Sequence, residues 1–586
     1  MLLHRSAPAP DHQPVLFLDP LRIVTARGAS ASVAALHEIE KLRRSYLLAG
    51  WLAYELGYLL DPALISLADP DQPLVELGVY QDPIQVSSFK QPGAMPFSEI
   101  YEIYDLDLQE TEADYQRRFD AIQRQIRDGD VYQVNYTLRL KFRFRGDPRD
   151  LYLALRRAQP VSTGALLKNH NRWILSLSPE LFFEQEGERV SVSPMKGTLP
   201  RGRTEAEDRL RMEALAADPK NCAENLMIVD LFRNDLGRVA RTGSVQVRSL
   251  FDVVKYPTLL QMTSTVEAAV PKKTPVVDLL KALLPSASVT GAPKISAMRI
   301  IAGLEDSPRG VYCGGIGVFA PDYAFFNVPI RTLELTGSHG EYEGRLGLGS
   351  GIVADSDEQQ EWAEIGLKAT FLTRPFPSFR LLESLRYENG FHLLQDHLTR
   401  LQASASYFDF ELDGDAVEKA LYRHVHELEE GAFKVRLLMD ADGCFEIESE
   451  KISPTPDPVT ISLAKEKTKS HDIFLFHKTT HRPVYDRARR WAQSQGFWEA
   501  ILCNENDEIT EGSVHNIFIR VRGQWWTPPV ECGLLPGIMR SRLIEELAAV
   551  EQRFGARSLV EAESILLCNA VRGRLRAILR PRSDGC

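Results

Sequence analysis

The sequence of 586 residues is short of cysteine, with seven spread between Cys222 and Cys586 and no two in a Cys-x-x-Cys pair. An odd, scattered set fits reduced thiols better than disulfides or a zinc site, so we expect a cytoplasmic protein. No stretch of about 18 apolar residues occurs, and the start, MLLHRSAPAPDHQP, lacks the apolar core of a signal peptide. The sequence therefore predicts neither secretion nor a membrane partner.

Concentrated positive charge is absent as well. The 69 lysines and arginines are scattered, and 80 aspartates and glutamates outnumber them, which gives a formal net charge of -11. Without a basic block, nucleic acid is not an expected partner. Internal repeats and low-complexity tracts are also lacking. What remains, 44% hydrophobic and 25% charged residues, is ordinary for a globular protein, and the length suggests two to four domains.

The clearest seam in the chain is FLTRPFPSFR, where Pro375 and Pro377 follow a helical run and interrupt it. A boundary at this point predicts two domains, residues 1–374 and 375–586. Both are long enough to bury a core.

The first part mixes helices and strands without the regular alternation of a Rossmann sheet, so we expect an α+β fold. Helices are predicted at 111–130, capped by Thr111, at 223–240 and at 357–372. The second part begins with a strand, an Asn389-Gly390 turn, a second strand and a helix, which is a strong hairpin pattern.

Acidic side chains recur on two of these helices. Glu361, Glu364 and Lys368 share one face of the third helix, and Glu224 is expected to open the second. Two carboxylates three residues apart can bind a hard cation such as Mg²⁺. The alternatives are a solvated charged face and, for Glu224, simple complementation of the helix dipole.

A single lysine lies in the turn SPMKGTLPRG, at residues 193–202. From this stretch alone, Lys196 is equally well explained as a solvated surface group or as a functional amine. The rest of the first part decides between them.

Eight segments of the first part, taken in order, resemble the chorismate-utilising enzymes, over roughly residues 10–372. They are GDVYQVNYT, SLSPELFF, SPMKGTLPRG, ENLMIVDLFRNDLGRV, SVTGAPK, RGVYCGGIG, PIRTLE and GSGIVADSDEQQEWAEIGLKA. The resemblance implies a β-sandwich with helices, like that of anthranilate synthase component I.

The resemblance assigns chemistry to three residues. Members that form 4-amino-4-deoxychorismate carry a lysine at the position of Lys196, whereas those that form anthranilate carry alanine. The lysine is implied to attack C2 of chorismate and expel the C4 hydroxyl, after which ammonia enters at C4. Glu180 matches the general acid/base. Gln133 replaces the lysine with which other members activate water, which argues against isochorismate or salicylate as the product.

The resemblance also implies a binding pocket. Its substrate-binding positions are Gln133, Thr290, Gly291, Ala292, Tyr312, Arg331, Gly349, Gly351 and Lys368. Its Mg²⁺ positions are Glu224, Glu361 and Glu364. The chain departs from the family in two places: Pro285-Ser286-Ala287-Ser288 replaces Pro-Gly-Gly-Ser, and Gln261 replaces the histidine of anthranilate synthases.

The second part contains what pyridoxal 5'-phosphate needs. LFHKTTHRPVYDRAR places Lys478 at the end of an expected apolar strand, and Glu511 lies in an expected turn about thirty residues later. The turn in GLLPGIMRS opens a helix whose N-terminal amides suit a phosphate. Each feature alone is weak, since a lone lysine is more often a surface residue.

Together these features resemble the fold-type IV pyridoxal phosphate enzymes, such as D-amino-acid aminotransferase, over about residues 380–580. The implied cofactor-binding residues are Lys478 (covalent attachment), Glu511 (pyridine nitrogen), and Arg400, Ile538, Met539, Asn569 and Ala570 (phosphate). Free-standing members have a segment before the LLESLR strand. Here Pro377 stands almost where that strand begins, so we expect its edge to be covered by the first domain or left open.

The two resemblances predict a bifunctional enzyme. Its first domain would convert chorismate and ammonia into 4-amino-4-deoxychorismate, and its second would remove pyruvate to leave 4-aminobenzoate for folate synthesis. No cysteine lies in a Gly-x-Cys-x-Gly nucleophile turn, so ammonia would come from solution or from a separate glutamine amidotransferase subunit. The resemblance also allows a homodimer through the C-terminal domain.

Three alternatives stay open at this point. The chain could be an anthranilate synthase joined to an unrelated aminotransferase, although Lys196 argues against this. Its second half could transaminate amino acids. The second half could also be a catalytically inactive scaffold that binds the glutaminase.

Overall fold

Two units make up the chain in the computed structural model, which describes residues 1–3, 14–85, 101–159, 161, 163–256, 258–373 and 376–581. The first unit comprises Met1–Pro200 and Met212–Phe376, and the second comprises Arg201–Arg211 and Pro377–Cys586. The predicted boundary between residues 374 and 375 lies outside the described residues, as does most of the segment examined for a signal peptide.

The first unit is built from long antiparallel strands. Its strands are β1 Leu2–Leu3, β2 Val15–Leu16, β3 Arg22–Arg27, β4 Leu47–Leu52, β5 Pro73–Tyr80, β6 Ile84–Gln85, β7 Glu102–Leu108, β8 Gln133–Arg145, β9 Ala165–Asn169, β10 Arg172–Ser176, β11 Leu181–Glu186, β12 Arg189–Ser193, β13 Met195–Pro200, β14 Gln246–Lys255, β15 Leu259–Ala269, β16 Gly291–Ala292, β17 Gly315–Ala320, β18 Tyr323–Asn327, β19 Thr332–Ser338 and β20 Glu341–Val353. The helices up to residue 373 are α1 Gly28–Leu42, α2 Leu56–Leu60, α3 Glu112–Arg127, α4 Pro148–Ala158, α5 Glu205–Ala217, α6 Pro219–Gly237, α7 Val276–Leu283, α8 Lys294–Leu304 and α9 Glu358–Thr373.

These strands form two ten-stranded sheets. One has the order β16-β8-β20-β19-β10-β9-β1-β2-β6 with β7 added to β8, and the other has the order β13-β15-β12-β11-β18-β17-β4-β5-β3 with β14 added to β15. Side chains from both sheets, including Ile174 and Phe326, lie in one buried cluster. A shared core between two sheets is the packing of a sandwich, as expected from the sequence.

Local signals explain where the helices begin. Thr111 caps α3 in a reciprocal capping box with Asp114, so the predicted N-terminus is confirmed. The start predicted for α6 is wrong, because the helix begins at Pro219, one turn before Glu224. Asp218 caps it and Pro219 occupies its first position, where a missing N–H costs nothing.

The second unit contains a four-stranded and an eight-stranded sheet. Its elements are β21 Leu381–Tyr387, β22 Phe391–His392, α10 Leu394–Phe408, α11 Gly414–Val425, β23 Phe433–Met439, β24 Phe445–Lys451, β25 Val459–Thr468, α12 Pro483–Ser494, β26 Glu499–Asn504, β27 Ile509–Gly512, β28 Asn516–Val521, β29 Gln524–Thr527, α13 Ile538–Leu547, β30 Val550–Glu551, α14 Ala556–Val560, β31 Ser564–Asn569 and β32 Gly573–Leu579. The sheet orders are β22-β21-β23-β24 and β27-β26-β25-β32-β31-β28-β29-β30.

The start of β21 is covered from within the second unit, which corrects the expectation of an edge that is open or covered by the first domain. The amide of Leu382 donates to the carbonyl of Lys478 at 2.9 Å, and Thr480 donates to the carbonyl of Arg380 at 2.9 Å. The segment that carries Lys478 therefore pairs with the first strand of its own unit.

Two further predictions about this unit are wrong. Lys478 does not end a strand, because the apolar residues before it form a 3₁₀ turn at Ile473–Leu475. Glu511 lies within β27 and not in a turn.

None of the helices in the described part of the chain is long and apolar enough to cross a membrane.

Candidate functional sites

The amine of Lys196 lies against strand β20 and helix α6. Its Nζ is 3.2 Å from Oε2 of Glu224. A Cβ atom built on Gly351 would come within 2.8 Å of that Nζ and within 3.3 Å of Nε2 of Gln133. Glycine at position 351 therefore leaves the space in which an amine and an amide can meet.

Lys196 lies on strand β13 and not in the predicted turn, and Gln261 of the neighbouring strand β15 braces it. Its Nε2 donates to the carbonyl of Gly197 at 2.7 Å, and its Oε1 accepts from the hydroxyl of Thr198 at 3.0 Å. Because an amide side chain can donate and accept at the same time, Gln261 holds both Gly197 and Thr198, the two residues that follow Lys196.

The charge of Lys196 acts on two further carboxylates, Glu361 and Glu364. Glu361 accepts a hydrogen bond from Ser356 at 2.8 Å. Burial raises the pKa of Glu361, and the neighbouring charge of Glu364 adds to this. For Glu364, burial would raise the pKa, but Lys368 at 2.6 Å and Lys196 together hold it below its usual value.

Of the three predicted Mg²⁺ ligands, Glu224 contacts the amine of Lys196, whereas Glu361 and Glu364 interact with it only through charge. Within the described residues, no three acidic, histidine or cysteine side chains are gathered into a ready metal cluster. Glu224 is paired with Lys196, Glu364 is paired with Lys368, and only Glu361 lacks an ion pair among the described contacts. The donor chemistry fits a hard cation that takes few carboxylates and completes its shell with substrate and water oxygens.

Glu180 lies in a buried position beside a serine hydroxyl. It is 3% exposed, and burial raises its pKa to about 7. A hydrogen bond from Ser288 Oγ at 2.5 Å has the smaller, opposite effect of lowering the pKa. A carboxyl group that titrates near neutral pH can both give and take a proton under physiological conditions.

Tyr256 is a candidate site residue that sequence reasoning missed. Burial raises its pKa to about 12, while the charge of Arg331 lowers it and that of Glu180 raises it. The tyrosine is therefore electrostatically coupled to two predicted site residues. Tyr256 lies in the segment YPTLLQMTST, in which the departure from the family is at Gln261 and not at the tyrosine.

Two of the residues expected to line the substrate ring, Gly291 and Ala292, form the short strand β16 next to Gln133, and Thr290 directly precedes it. Gly291 pairs with Val134, and Ala292 pairs with Gln133. A Cβ atom on Gly291 would lie 2.1 Å from the carbonyl oxygen of Gln133, so only glycine allows this approach. The buried Oε1 of Gln133 has no partner in the described part of the chain, and Thr290 is fully buried.

The predicted anion-binding residues have separate surroundings. Arg331 donates to Oε1 of Gln159 at 2.9 Å, and burial lowers its pKa. The guanidinium carbon Cζ of Arg139 lies over the ring of Tyr312, 5.2 Å from the centroid of that ring. Lys368 donates to the carbonyl of Gly349 at 2.8 Å. No contact between Tyr312 and Arg331 is recorded among the described residues, so their shared role stays a prediction.

In the second unit, Lys478 lines a cavity of about 660 Å³. Burial lowers the pKa of its amine to about 7, helped by the charges of Arg400 and Arg482 and opposed by Glu383 and Glu511. A lysine with this pKa is half neutral at pH 7 and can act as a nucleophile or a base.

Glu511 lines the same cavity and is 5% exposed. Burial raises its pKa to about 7, although three donors stabilise its charge. They are the hydroxyl of Tyr485 at 2.5 Å, the amide of Asn516 at 2.9 Å and the backbone N–H of Leu535 at 3.0 Å. These donors fix the carboxylate in one orientation, and sequence reasoning had named none of them.

Arg400 is held by a buried glutamate that sequence reasoning also missed. Its guanidinium binds Glu383 in a bidentate manner at 2.9 and 2.7 Å, and His397 contacts the same carboxylate at 2.7 Å. Burial would raise the pKa of Glu383, but Arg400 and His397 hold it well below its usual range. The arginine side chain is therefore oriented before any ligand arrives.

The remaining predicted residues also reach this cavity. Ile538 and Met539 begin α13, Asn569 ends β31, and Ala570 follows that strand. Oδ1 of Asn569 accepts from the N–H groups of Val571 and Arg572 and so shapes the turn. An amine, a buried acid, an oriented arginine and a helix N-terminus are the set that pyridoxal 5'-phosphate requires, so the cavity fits this cofactor.

Comparisons with known proteins match two parts of the chain to two families. Residues 18–374 match the family of chorismate binding enzymes, and residues 380–577 match amino-transferase class IV. The chain is similar to aminodeoxychorismate synthase component 1 of Salmonella typhimurium, with 40% identity over 45% of this chain and 58% of that protein. It is also similar to an anthranilate synthase component 1 of Haloarcula marismortui, with 38% identity over 44% of this chain and 51% of that protein.

A solved structure shows the fold of the first unit. Anthranilate synthase component I from Streptococcus pneumoniae aligns with a TM-score of 0.53 and 24% identity, over 63% of this chain and 94% of that one. The matched part spans little more than half the length of the curated relatives. Because the first family model covers more than half of the residues, the chain belongs to the chorismate binding enzymes, and its C-terminal part has the class IV aminotransferase fold.

Proposed function

We propose that the chain catalyses two consecutive steps toward 4-aminobenzoate for folate synthesis. In the first step, residues 1–374 convert chorismate and ammonia into 4-amino-4-deoxychorismate and water. In the second, residues 375–586 convert that product into 4-aminobenzoate and pyruvate. The observation that carries the first step is the position of the Lys196 amine: it is paired with Glu224, and both it and the Gln133 amide lie within 3.3 Å of where a Cβ atom on Gly351 would be.

In the first step, the amine of Lys196 would attack C2 of chorismate as the C4 hydroxyl leaves. Glu180, with its pKa near neutrality, would donate the proton that makes this hydroxyl a leaving group. Ammonia would then bond to C4 and expel the lysine from C2. Gln133 has no amine with which to activate water, which favours ammonia as the second nucleophile.

Substrate carboxylates would be held by positive charge in the first unit. Arg331 is a partly buried cation whose guanidinium donates to the neutral side chain of Gln159. Glu224, Glu361 and Glu364 would hold Mg²⁺, which neutralises a carboxylate when it is bound. The amide of Gln133 remains available for a substrate hydroxyl.

In the second step, pyridoxal 5'-phosphate would supply the electron sink for loss of a proton and of pyruvate. Lys478 would attach the cofactor and move the ring proton of the substrate, for which its low pKa suits it. Glu511 would hold the pyridine nitrogen, and Arg400 with the start of α13 would hold the phosphate. Asn569 and Ala570 would line the phosphate end.

Ammonia would come from a separate glutamine amidotransferase subunit or from solution. The relatives named component 1 support this assignment, as does the lack of a Gly-x-Cys-x-Gly turn in the sequence. Glutamine alone should therefore not support turnover by the purified chain, whereas ammonium should.

A pair of lysine variants tests both steps. The purified chain is given chorismate, ammonium, Mg²⁺ and pyridoxal phosphate, and the products are separated by chromatography. Lys478→Ala should consume chorismate at the wild-type rate, accumulate 4-amino-4-deoxychorismate and make almost no 4-aminobenzoate. Lys196→Ala should do the converse: it should leave chorismate untouched and convert added 4-amino-4-deoxychorismate normally.

The exposed Lys272 provides the matched control, and Lys272→Ala should match the wild type in both assays. Formation of 4-aminobenzoate by Lys478→Ala at the wild-type rate would remove the second unit from the reaction. Anthranilate as the main wild-type product would overturn the first step.

A further inference from the structure

Two serine hydroxyls form a line of hydrogen bonds that leads to the carboxylate of Glu180. Ser288 Oγ donates to Oε1 of Glu180 at 2.5 Å, and Ser286 Oγ lies 2.8 Å from Ser288 Oγ. Ser286 is one of the residues in which this chain departs from the Pro-Gly-Gly-Ser of its family. A glycine at position 286 would end the line at Ser288.

Counting protons gives the line a direction. Each hydroxyl has one hydrogen, and that of Ser288 is used on the carboxylate. When Glu180 is ionised, the contact between the two serines is therefore a donation from Ser286 to Ser288. In the described residues, the hydroxyl of Ser286 has no second partner that could accept its hydrogen if the line were reversed.

The backbone fixes Ser286 in this position. Its side chain is fully buried, and its carbonyl accepts from the hydroxyl of Thr290 at 3.1 Å. The preceding Pro285 lies against Gly57, where an added Cβ atom would come within 2.4 Å of the proline ring. The loop therefore holds the backbone of Ser286 in place, which keeps its hydroxyl within reach of Ser288.

Few other titratable groups face Glu180. Tyr256 interacts electrostatically with both Glu180 and Arg331. The direct hydrogen bond recorded to the carboxylate comes from Ser288. A change in the donor strength of Ser288 should therefore act on Glu180 without passing through another charge.

We propose that Ser286 is a positioning residue for Glu180. Through Ser288 it keeps a hydrogen-bond donor aimed at the carboxylate, and it thereby sets the pH range in which Glu180 gains and loses its proton. This inference rests on the proposed role of Glu180. Removal of the Ser286 hydroxyl frees Ser288 to turn and accept from a protonated Glu180. The protonated form then gains stability relative to the ionised one.

The test uses Ser286→Gly, which restores the family residue, and Ser286→Ala, which keeps the Cβ atom. Amination of chorismate is followed against pH with free ammonia held constant. The midpoint of the limb due to Glu180 should shift upward by about half to one pH unit in both variants. Ser32→Ala is the control, because Ser32 is equally buried but bonds only its own helix.

A second measurement does not depend on activity. Infrared difference spectra between each protein and its Glu180→Gln counterpart follow the protonated carboxyl band across the same pH range. The band should persist to a higher pH, by the same amount, when Ser286 is replaced. If chorismate is not aminated at all, the proposed function fails, while this titration still decides the role of Ser286.

A double-mutant cycle separates the line of hydroxyls from a general effect on folding. In a Ser288→Ala background, Ser286→Ala should cause no further shift, because the connection to Glu180 is already lost. An unchanged carboxyl titration in both Ser286 variants would overturn the proposal. An equal shift with and without Ser288 would also overturn it.

Discussion

The amine of Lys196 lies 3.2 Å from Glu224, so the proposed nucleophile and a proposed Mg²⁺ ligand form an ion pair. Their side chains are 23% and 18% exposed, and a pair with this access to water contributes less than about 1 kcal/mol to stability. The arrangement therefore has consequences for chemistry more than for folding.

Lys196→Ala should abolish chorismate amination and leave the fold intact. The variant loses the amine that bonds to C2 but only a weak ion pair, so its melting temperature should stay within about 3 °C of wild type. Product analysis and a thermal scan check both statements. Trace anthranilate is also expected, because alanine recreates the motif of the anthranilate-forming members. Normal turnover with ammonium would reject Lys196 as the nucleophile.

Glu224→Gln and Glu364→Gln should each raise the Mg²⁺ concentration needed for half activity, by on the order of tenfold or more. Each substitution removes one anionic oxygen ligand and keeps the shape of the side chain. Titration of initial rates with Mg²⁺ gives the value. Glu343→Gln is the control, since Glu343 is exposed on β20. Titrations that superimpose on the wild type would make these two glutamates ordinary helix charges.

Glu180→Gln should inactivate the first unit yet stabilise it at alkaline pH. Because burial raises the folded-state pKa of Glu180 to about 7, the native state holds a proton that the unfolded state loses above pH 4.5. Wild-type stability therefore falls as pH rises through this window, by about 3 kcal/mol in total. The amide side chain of the Glu180→Gln variant does not titrate, so the variant does not lose this stability as the pH rises.

The stability difference between Glu180→Gln and the wild type should accordingly grow in favour of the variant from pH 5 to pH 8. Urea unfolding at several pH values measures it, with the exposed Glu343→Gln as the reference. A difference that does not change with pH would mean that Glu180 is ionised in the folded protein throughout.

Lys478 should react with an amine-directed reagent in a pH profile whose midpoint is about 7. Burial and two arginines disfavour its ammonium form, so the neutral amine appears well below the pH at which a model lysine deprotonates. Labelling of the cofactor-free protein, followed by peptide mass spectrometry, gives the profile. The exposed Lys272 corrects for the reactivity of the reagent. A midpoint near 10 would contradict the prediction.

Arg400→Met should weaken pyridoxal phosphate binding and destabilise the protein by about 3 kcal/mol at neutral pH. The variant leaves the carboxylate of Glu383 buried with only His397 as its partner among the described contacts. In the wild type, the pKa of Glu383 is depressed, so its contribution to stability is present above pH 4.5 and is lost as pH falls.

The deficit of Arg400→Met should therefore shrink below pH 4.5, where the unfolded carboxyl group is protonated. Urea unfolding and cofactor titration measure the two effects, and Arg423→Met, at an exposed position of α11, is the control. A deficit that stays constant down to pH 3 would show that the ion pair is not its cause.

Local signals were sufficient for several elements. The capping box at Thr111 and the helical spacing after it are contained within one short segment, so α3 could be located from sequence. The helix α6 begins one turn before the predicted start, because Asp218 and Pro219, its true start, lie before the apolar run. The apolar residues before Lys478 form a 3₁₀ turn and not the predicted strand, and a run that short has no period by which the two could be distinguished.

The partners of the site residues could not be predicted, because they are distant in the chain. Glu383 and Arg400 are separated by 17 residues, Ser288 and Glu180 by 108, and Tyr485 and Glu511 by 26. No local period connects such pairs. Their identity depends on which strands and turns are brought together in the fold.

The sequence by itself determined the family of the first part, the two-part organisation and the residue types available for chemistry, because ordered motifs persist in the linear chain. Only the tertiary structure decided the state of those residues. Burial raises the pKa of Glu180 and lowers that of Lys478, and both shifts depend on how much water and charge the folded chain leaves around each group. Those surroundings come from segments that the sequence keeps far apart.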